Sequence, residues 1–79
     1  MPKAYILINC DLGYEDEVIG YVKSIRGICE VQGVFGAYDV VVKIETFSND
    51  EMEYAVAKIR KFERIRSTLT LPVIEGQGD

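Results

Sequence analysis

The chain has 79 residues, of which 48% are hydrophobic and 28% are charged, and its formal net charge is −4 at pH 7. This length allows one hydrophobic core, and the composition is that of a folded globular protein rather than a disordered one. The acidic balance argues against nonspecific binding to nucleic acid, which needs surplus Lys and Arg to neutralise phosphates. We therefore expect residues 1–79 to form a single domain without direct DNA binding.

The first two predicted elements are a strand and a helix. Residues 4–10 are rich in β-forming side chains and predict a strand. From Glu15 onward, apolar residues recur at helical spacing, with acidic residues in the first turn and Lys23 and Arg26 in the last. Gly27 is a typical residue just beyond a helix end, so we expect the helix to stop there.

Two further strands are predicted to form a hairpin. Residues 28–34 have a strand composition, in which Gly33 indicates a bulge or a close backbone approach. Residues 35–37, Phe-Gly-Ala, read as a short turn into a Val-rich strand at residues 38–45. Because the connection is short, the two strands are expected to be antiparallel.

The last two elements are a capped helix and a closing strand. Ser48 and Glu51 have the spacing of a capping box, and the apolar residues behind them fall at helical intervals. Residues 65–74 predict a final strand, whose Pro72 is typical of a sheet edge.

This βαββαβ order predicts an α+β fold of the ferredoxin-like type. We expect an antiparallel four-stranded sheet in the order 4-1-3-2, with both helices on one face. Alternation along the strands assigns one set of residues to the helix side: Ala4, Ile6, Ile8, Val40, Val42, Ile44, Leu69 and Leu71. The opposite face then carries Tyr5, Leu7, Val34, Val41, Thr68 and Thr70.

That opposite face is too apolar for an exposed sheet surface. Packing against the same face of a second copy would cover it, and a two-fold dimer is the commonest closed assembly. We therefore predict a homodimer, with the two sheets forming a dimeric α/β-barrel-like assembly.

The most distinctive candidate for ligand binding is the hairpin segment V-F-G-A-Y-D. Gly36 leaves backbone amides accessible, Tyr38 is suited to a pocket wall, and Asp39 is suited to holding an ammonium group. An ordinary Gly-containing turn with a turn-forming Asp explains the same residues. Thr68 and Thr70 share one strand face, either as ligand-binding hydroxyls or simply as β-branched strand residues.

Few residues in the chain are suited to catalysis or to metal binding. There is no histidine, and Cys10 and Cys29 form no C-x-x-C motif. We expect no catalytic activity, no cofactor and no metal site. With no signal peptide and no apolar run near the ~18 residues of a membrane span, the expected compartment is the cytoplasm.

Five basic residues cluster around the end of the second predicted helix: Lys58, Arg60, Lys61, Arg64 and Arg66. Cations are favourable at a helix C-terminus, and we interpret the cluster in that way.

Residues 33–74, read together with the strand AYILINC at 4–10, resemble the effector-binding domain of Lrp/AsnC transcriptional regulators, also called the RAM domain. The most specific parts are G-x-Y-D leading into a Val-rich strand, the capped helix, and T-x-T in the last strand. The resemblance implies the same βαββαβ fold, dimers formed through the sheets, and further assembly into rings, often octamers. It also implies an amino-acid effector between dimers, near six residues of this chain: Gly36, Ala37, Tyr38, Asp39, Thr68 and Thr70.

Full regulators of this kind carry a helix-turn-helix domain before the module, whereas here the first strand begins by residue 4. The expected function is thus that of a stand-alone module that binds an amino acid and modulates transcriptional regulators, in part by assembling with full-length Lrp/AsnC proteins. The alternatives are a purely structural oligomerisation module, a binder of another metabolite, or a small α/β-barrel oxygenase or isomerase.

Overall fold

The computed structural model describes residues 1–78. The elements follow the predicted order: β1 (Lys3–Cys10), α1 (Glu15–Lys23), β2 (Ile28–Gly33), β3 (Val40–Glu45), α2 (Asn49–Lys61) and β4 (Ile65–Pro72). The strands form one antiparallel sheet in the order β2-β3-β1-β4, which confirms the predicted topology. Among residues 1–78, no helix is both long and apolar enough to cross a membrane.

The core lies between one face of the sheet and the two helices. Ile6, Ile8 and Val42 of the sheet are fully buried in the same cluster as Val18 of α1 and Ile59 of α2. The predicted helix-side residues of β1 and β3 are therefore correct. Both helices cover this face, and the opposite face of the sheet is left open.

Ser48 and Glu51, the predicted capping-box residues, both accept backbone hydrogen bonds at the start of α2. The Ser48 hydroxyl oxygen accepts a hydrogen bond from the Glu51 amide at 3.2 Å, and the Glu51 carboxylate accepts one from the Phe47 amide at 3.2 Å. The serine therefore caps the helix as predicted, whereas the glutamate bonds to the amide before the N-cap rather than to the Ser48 amide of a standard capping box. This fixes where the chain leaves β3 and enters α2.

The hairpin differs from its prediction in two respects. The connection spans residues 34–39, and β3 begins at Val40 rather than at residue 38. The Val34 amide donates to the Asp39 carbonyl oxygen at 2.9 Å and closes this loop, so Tyr38 and Asp39 belong to the loop. The irregularity in β2 lies around Cys29, between Ile28 and Glu30, whereas Gly33 pairs regularly with Val40.

The faces of β4 are the reverse of those predicted. Thr68 pairs with Ile8 and Thr70 with Ile6, so both threonines lie on the helix side of the sheet. Leu69 and Leu71 consequently lie on the open face. The register with β1 decides which side chains of β4 face the helices. Alternation alone could not, because a T-L-T-L strand can turn either its threonines or its leucines toward the helices.

Candidate functional site

The open face of the sheet carries a contiguous group of apolar side chains, which we call the open-face patch: Tyr5, Leu7, Val41, Leu69 and Leu71. Leu7 lies between Val41 on one side and Leu69 on the other, and Tyr5 pairs with Leu71. Tyr5, Leu69 and Leu71 are 40%, 43% and 44% exposed in the protomer. Apolar side chains this exposed and this close together are typical of an interaction surface.

Polar residues surround the open-face patch. Glu30 pairs with Lys43 across β2 and β3, beside the patch. At the β4 side, the side-chain amide of Asn9 donates a hydrogen bond through Nδ2 to the Ser67 hydroxyl at 3.5 Å. An apolar centre with a polar rim is the usual anatomy of a protein–protein interface.

The hairpin at residues 34–39 projects from one end of the sheet. Gly36 has φ = 123°, a conformation that favours glycine, and a Cβ atom added there would meet nothing within 4 Å. Phe35 beside it is fully exposed. The backbone at the hairpin tip is therefore accessible to another molecule.

Asp39 fastens this hairpin to the sheet. Its carboxylate oxygen Oδ2 accepts a hydrogen bond from the Cys10 amide at 3.0 Å, and its own amide donates to Ile8. One carboxylate oxygen is thus already used inside the protomer. The first role of Asp39 is structural, which makes it a weaker ammonium ligand than the sequence suggested.

The Cys10 thiol lies close to this anchor. Burial in the core, and then the negative charge of Asp39, raise the pKa of the Cys10 thiol above its ordinary value. Cys10 is buried and Cys29 is exposed, and neither forms a disulfide. The buried thiol is therefore an inert core residue rather than a nucleophile.

The protomer does not gather the six predicted site residues into one pocket. Thr68 lines a cleft of about 310 Å³ with Arg60 and Arg66. Thr70 lines a different cleft, of about 570 Å³, with Met52. The hairpin residues 36–39 line neither cleft.

The hairpin and Thr68 nevertheless lie at the same end of the sheet. Val40, at the start of β3, and Thr68 both pair with Ile8 of the strand between them. Two strand spacings separate them by roughly 10 Å. Thr70 pairs with Ile6 and lies farther from the hairpin.

Some candidate surface residues were missed at the level of sequence. Leu69 and Leu71 were assigned to the core, and only the pairing with β1 reveals that they extend the open-face patch. A further cleft of about 370 Å³ lies at the sheet end opposite the hairpin, between Arg26, Phe47 and Tyr54, and the sequence pattern did not predict it as a cleft. Within residues 1–78, no group of three or more His, Cys, Asp or Glu side chains is arranged to hold a metal ion.

Comparison with known proteins identifies similar solved structures and similar sequences. The crystal structure of FFRP-DM1 superposes with a TM-score of 0.85 at 35% identity, covering 94% of this chain and 100% of that one. The homocitrate synthase of Saccharolobus solfataricus is 32% identical over 74 residues; the match includes 92% of this chain but only 16% of that enzyme.

A feast or famine regulatory protein of M. tuberculosis, solved in complex with L-methionine, shares the fold at a TM-score of 0.77 and 17% identity. That match covers 100% of this chain and 54% of the other. A family model described as the Lrp/AsnC ligand binding domain matches residues 3–76. The chain therefore belongs to the Lrp/AsnC ligand-binding domain family.

Proposed function

We propose that this domain is an effector-binding and oligomerisation module, which binds a small molecule, most simply an amino acid, at an interface between subunits and thereby modulates Lrp/AsnC regulators. The observation that carries the proposal is the open-face patch, an apolar surface that one protomer leaves exposed. The family and the structural relatives support a regulatory role for the domain.

Pairing of two subunits through their open-face patches is the first part of the proposal. The patch is continuous across β3, β1 and β4, and its centre contains no charged residue. A two-fold contact would place each copy of Leu7 and Leu69 against apolar side chains of the other copy. Further association of such dimers into a ring, with eight subunits as the expected number, belongs to the same proposal.

The effector site is the second part. The hairpin residues 36–39 and Thr68 lie at one end of the sheet, and no cleft described above joins them within a protomer. A neighbouring subunit would close the space between them and complete a pocket. The L-methionine complex of the M. tuberculosis protein with the same fold supports an amino acid as the ligand.

Regulation of an enzyme is a second candidate function. The similarity to a 74-residue stretch of homocitrate synthase favours it, because the same kind of domain occurs there within a biosynthetic enzyme. In that case the module would transmit effector binding to catalysis rather than to transcription. Both candidates act in the cytoplasm, which is consistent with two free cysteines.

Light scattering coupled to size exclusion, together with thermal melts in each common amino acid, tests the proposal. We expect a dimer or a larger even-numbered assembly, and a rise in the melting temperature with a small subset of amino acids. At ~100 Kd of ligand the added stability is about 2.7 kcal/mol. A monomer at all concentrations would contradict the proposed assembly. If no amino acid raised the melting temperature, the alternative of a purely structural oligomerisation module would be favoured.

A matched pair of variants tests the location of the effector site. Tyr38→Ala removes a hairpin side chain and should abolish the melting shift without dissociating the dimer. Tyr54→Ala removes an exposed tyrosine of α2 that lies away from the hairpin, and it should keep the shift. Equal shifts in both variants would exclude the hairpin as the binding region.

A further inference from the structure

The positive charge of this acidic chain is concentrated in one short segment. Residues 58–66 contain five of the nine Lys and Arg residues and one acidic residue, Glu63, for a segment charge of +4. Since the whole chain carries −4, the remaining residues sum to −8. Such segregation produces a local field that attracts anions despite the net negative charge.

The end of α2 explains only part of this cluster. Lys58, Arg60 and Lys61 lie in the last helical turn, where cations are favourable, but Arg64 and Arg66 lie beyond it. Arg64 is already engaged: its guanidinium lies 3.7 Å from the Asp11 carboxylate. It also lies 4.0 Å from the centre of the Tyr14 ring. Arg66 has no such partner among residues 1–78.

A bulge in β4 sets the position of Arg66. Asn9 pairs with Ser67, and the next residue of β1, Cys10, pairs with Ile65. Arg66 is therefore the extra residue of the bulge, and it has no pairing partner on β1. Bulges of this kind redirect a side chain and are common beside functional sites.

The bulge contributes Arg66 to the cleft of about 310 Å³ in which Arg60 also lies. The remaining lining residues are Ile65, Ser67 and Thr68, so the cleft has two guanidinium groups and no carboxylate. Within residues 1–78, no carboxylate oxygen lies within 4.0 Å of Arg60 or Arg66. The Thr68 hydroxyl likewise has no hydrogen-bond partner among those residues.

We propose that this cleft, formed by Arg60, Arg66 and Thr68, is a binding site for a small dianionic metabolite, a phosphate monoester or a dicarboxylate. Two guanidinium groups match two negative charges, and each can donate paired hydrogen bonds to an oxyanion. The Thr68 hydroxyl supplies a further donor. An α-amino acid fits less well, because its ammonium group would find no carboxylate in the lining. The cleft shares Thr68 with the proposed effector site, but Arg60 and Arg66 are not part of that site, and the dianion proposal does not depend on an amino-acid effector.

Isothermal titration of the intact protein with inorganic phosphate, and separately with succinate, tests the site and distinguishes the two sources of charge. We expect saturable binding of one of these dianions and weaker binding of acetate, which carries a single charge. Arg66→Gln should weaken that binding by about tenfold or more. Arg66→Lys, which retains the charge but loses the paired donors, should fall between it and the parent.

Lys61→Gln is the matched control, because it removes the same charge from the same basic segment, residues 58–66, but from outside the cleft. It should change the affinity by less than about threefold. Equal losses of affinity in Lys61→Gln and Arg66→Gln would mean that the binding is general electrostatic attraction, which would overturn the proposed site. Failure of both phosphate and succinate to bind would overturn it as well. Either result would leave subunit pairing and the amino-acid melting shift unaffected, so failure here is distinguishable from failure of the proposed function.

Discussion

At the scale of single residues, Cys10 links the core to the pH dependence of stability. Burial and the nearby Asp39 charge keep its thiol protonated in the folded state to a higher pH than in the unfolded chain. Above about pH 8.5 the unfolded chain releases this proton while the folded chain retains it. The contribution of Cys10 is therefore complete below that pH, and it is lost as the pH rises through the folded-state value.

Urea denaturation at pH 7, 8, 9 and 10 should show this loss as a fall in the free energy of unfolding. Cys10→Ala should flatten the part of the curve above about pH 8.5. Cys29→Ala removes an exposed thiol and should retain the parental slope. Asp39→Asn should lessen the slope, because the charge next to Cys10 is gone. Parallel curves for the parent and Cys10→Ala would show that this thiol does not contribute.

The same residues show how far sequence reasoning extends at this scale. The G-x-Y-D pattern predicted an unusual backbone conformation at Gly36, and its φ of 123° confirms that point. It could not show that Asp39 bonds to the Cys10 amide, because that contact joins residues 29 positions apart. Long-range pairing, absent from any local pattern, determines whether a carboxylate is free for a ligand.

At the scale of elements, the junction from α1 to β2 depends on Gly27. Its φ is 98°, and an added Cβ atom would lie 3.0 Å from the Thr46 methyl carbon and 3.5 Å from the Glu45 carbonyl oxygen. Its own carbonyl oxygen accepts a hydrogen bond from the Glu45 amide at 2.9 Å. The glycine thus allows the end of α1 to pass close to the end of β3.

Gly27→Ala should lower the free energy of unfolding by about 1–2 kcal/mol, since alanine would have to adopt a left-handed conformation and displace Thr46. Gly20→Ala is the control, because Gly20 lies within α1 and a Cβ atom added to it would meet nothing within 4 Å. It should raise the free energy of unfolding by about 0.5–1 kcal/mol. Urea denaturation of the two variants measures both effects, and the same sign in both would contradict the role of Gly27.

Elements were more predictable than the faces they present. Periodicity and the S-x-x-E spacing located both helices and all four strands, and Ser48 caps α2 as expected. The predicted orientation of the β4 side chains was wrong, because the leucines of T-L-T-L were assumed to face the protomer's own core. Leu69 and Leu71 instead face outward and extend the open-face patch, the surface for which we propose a covering subunit.

At the scale of the whole molecule, stability and assembly are expected to be coupled. A chain of 79 residues buries a limited core, so covering the open-face patch would add a substantial share of the total apolar burial. Binding between subunits stabilises the folded state by mass action. The melting temperature should therefore rise with protein concentration.

Leu71→Asp tests this coupling directly. The substitution places a charge in the open-face patch, where pairing of two subunits would bury it without a partner, so we expect light scattering to report a smaller particle and the melt to lose its concentration dependence. Leu12→Asp is the matched control, because Leu12 is 91% exposed in the loop after β1 and lies outside the patch. It should retain the dimer. Since Leu71 is itself 44% exposed in the protomer, far-UV circular dichroism should show that the variant still folds. A Leu71→Asp protein with the parental mass would mean that subunits associate through another surface, and the effector pocket would then have to be sought there.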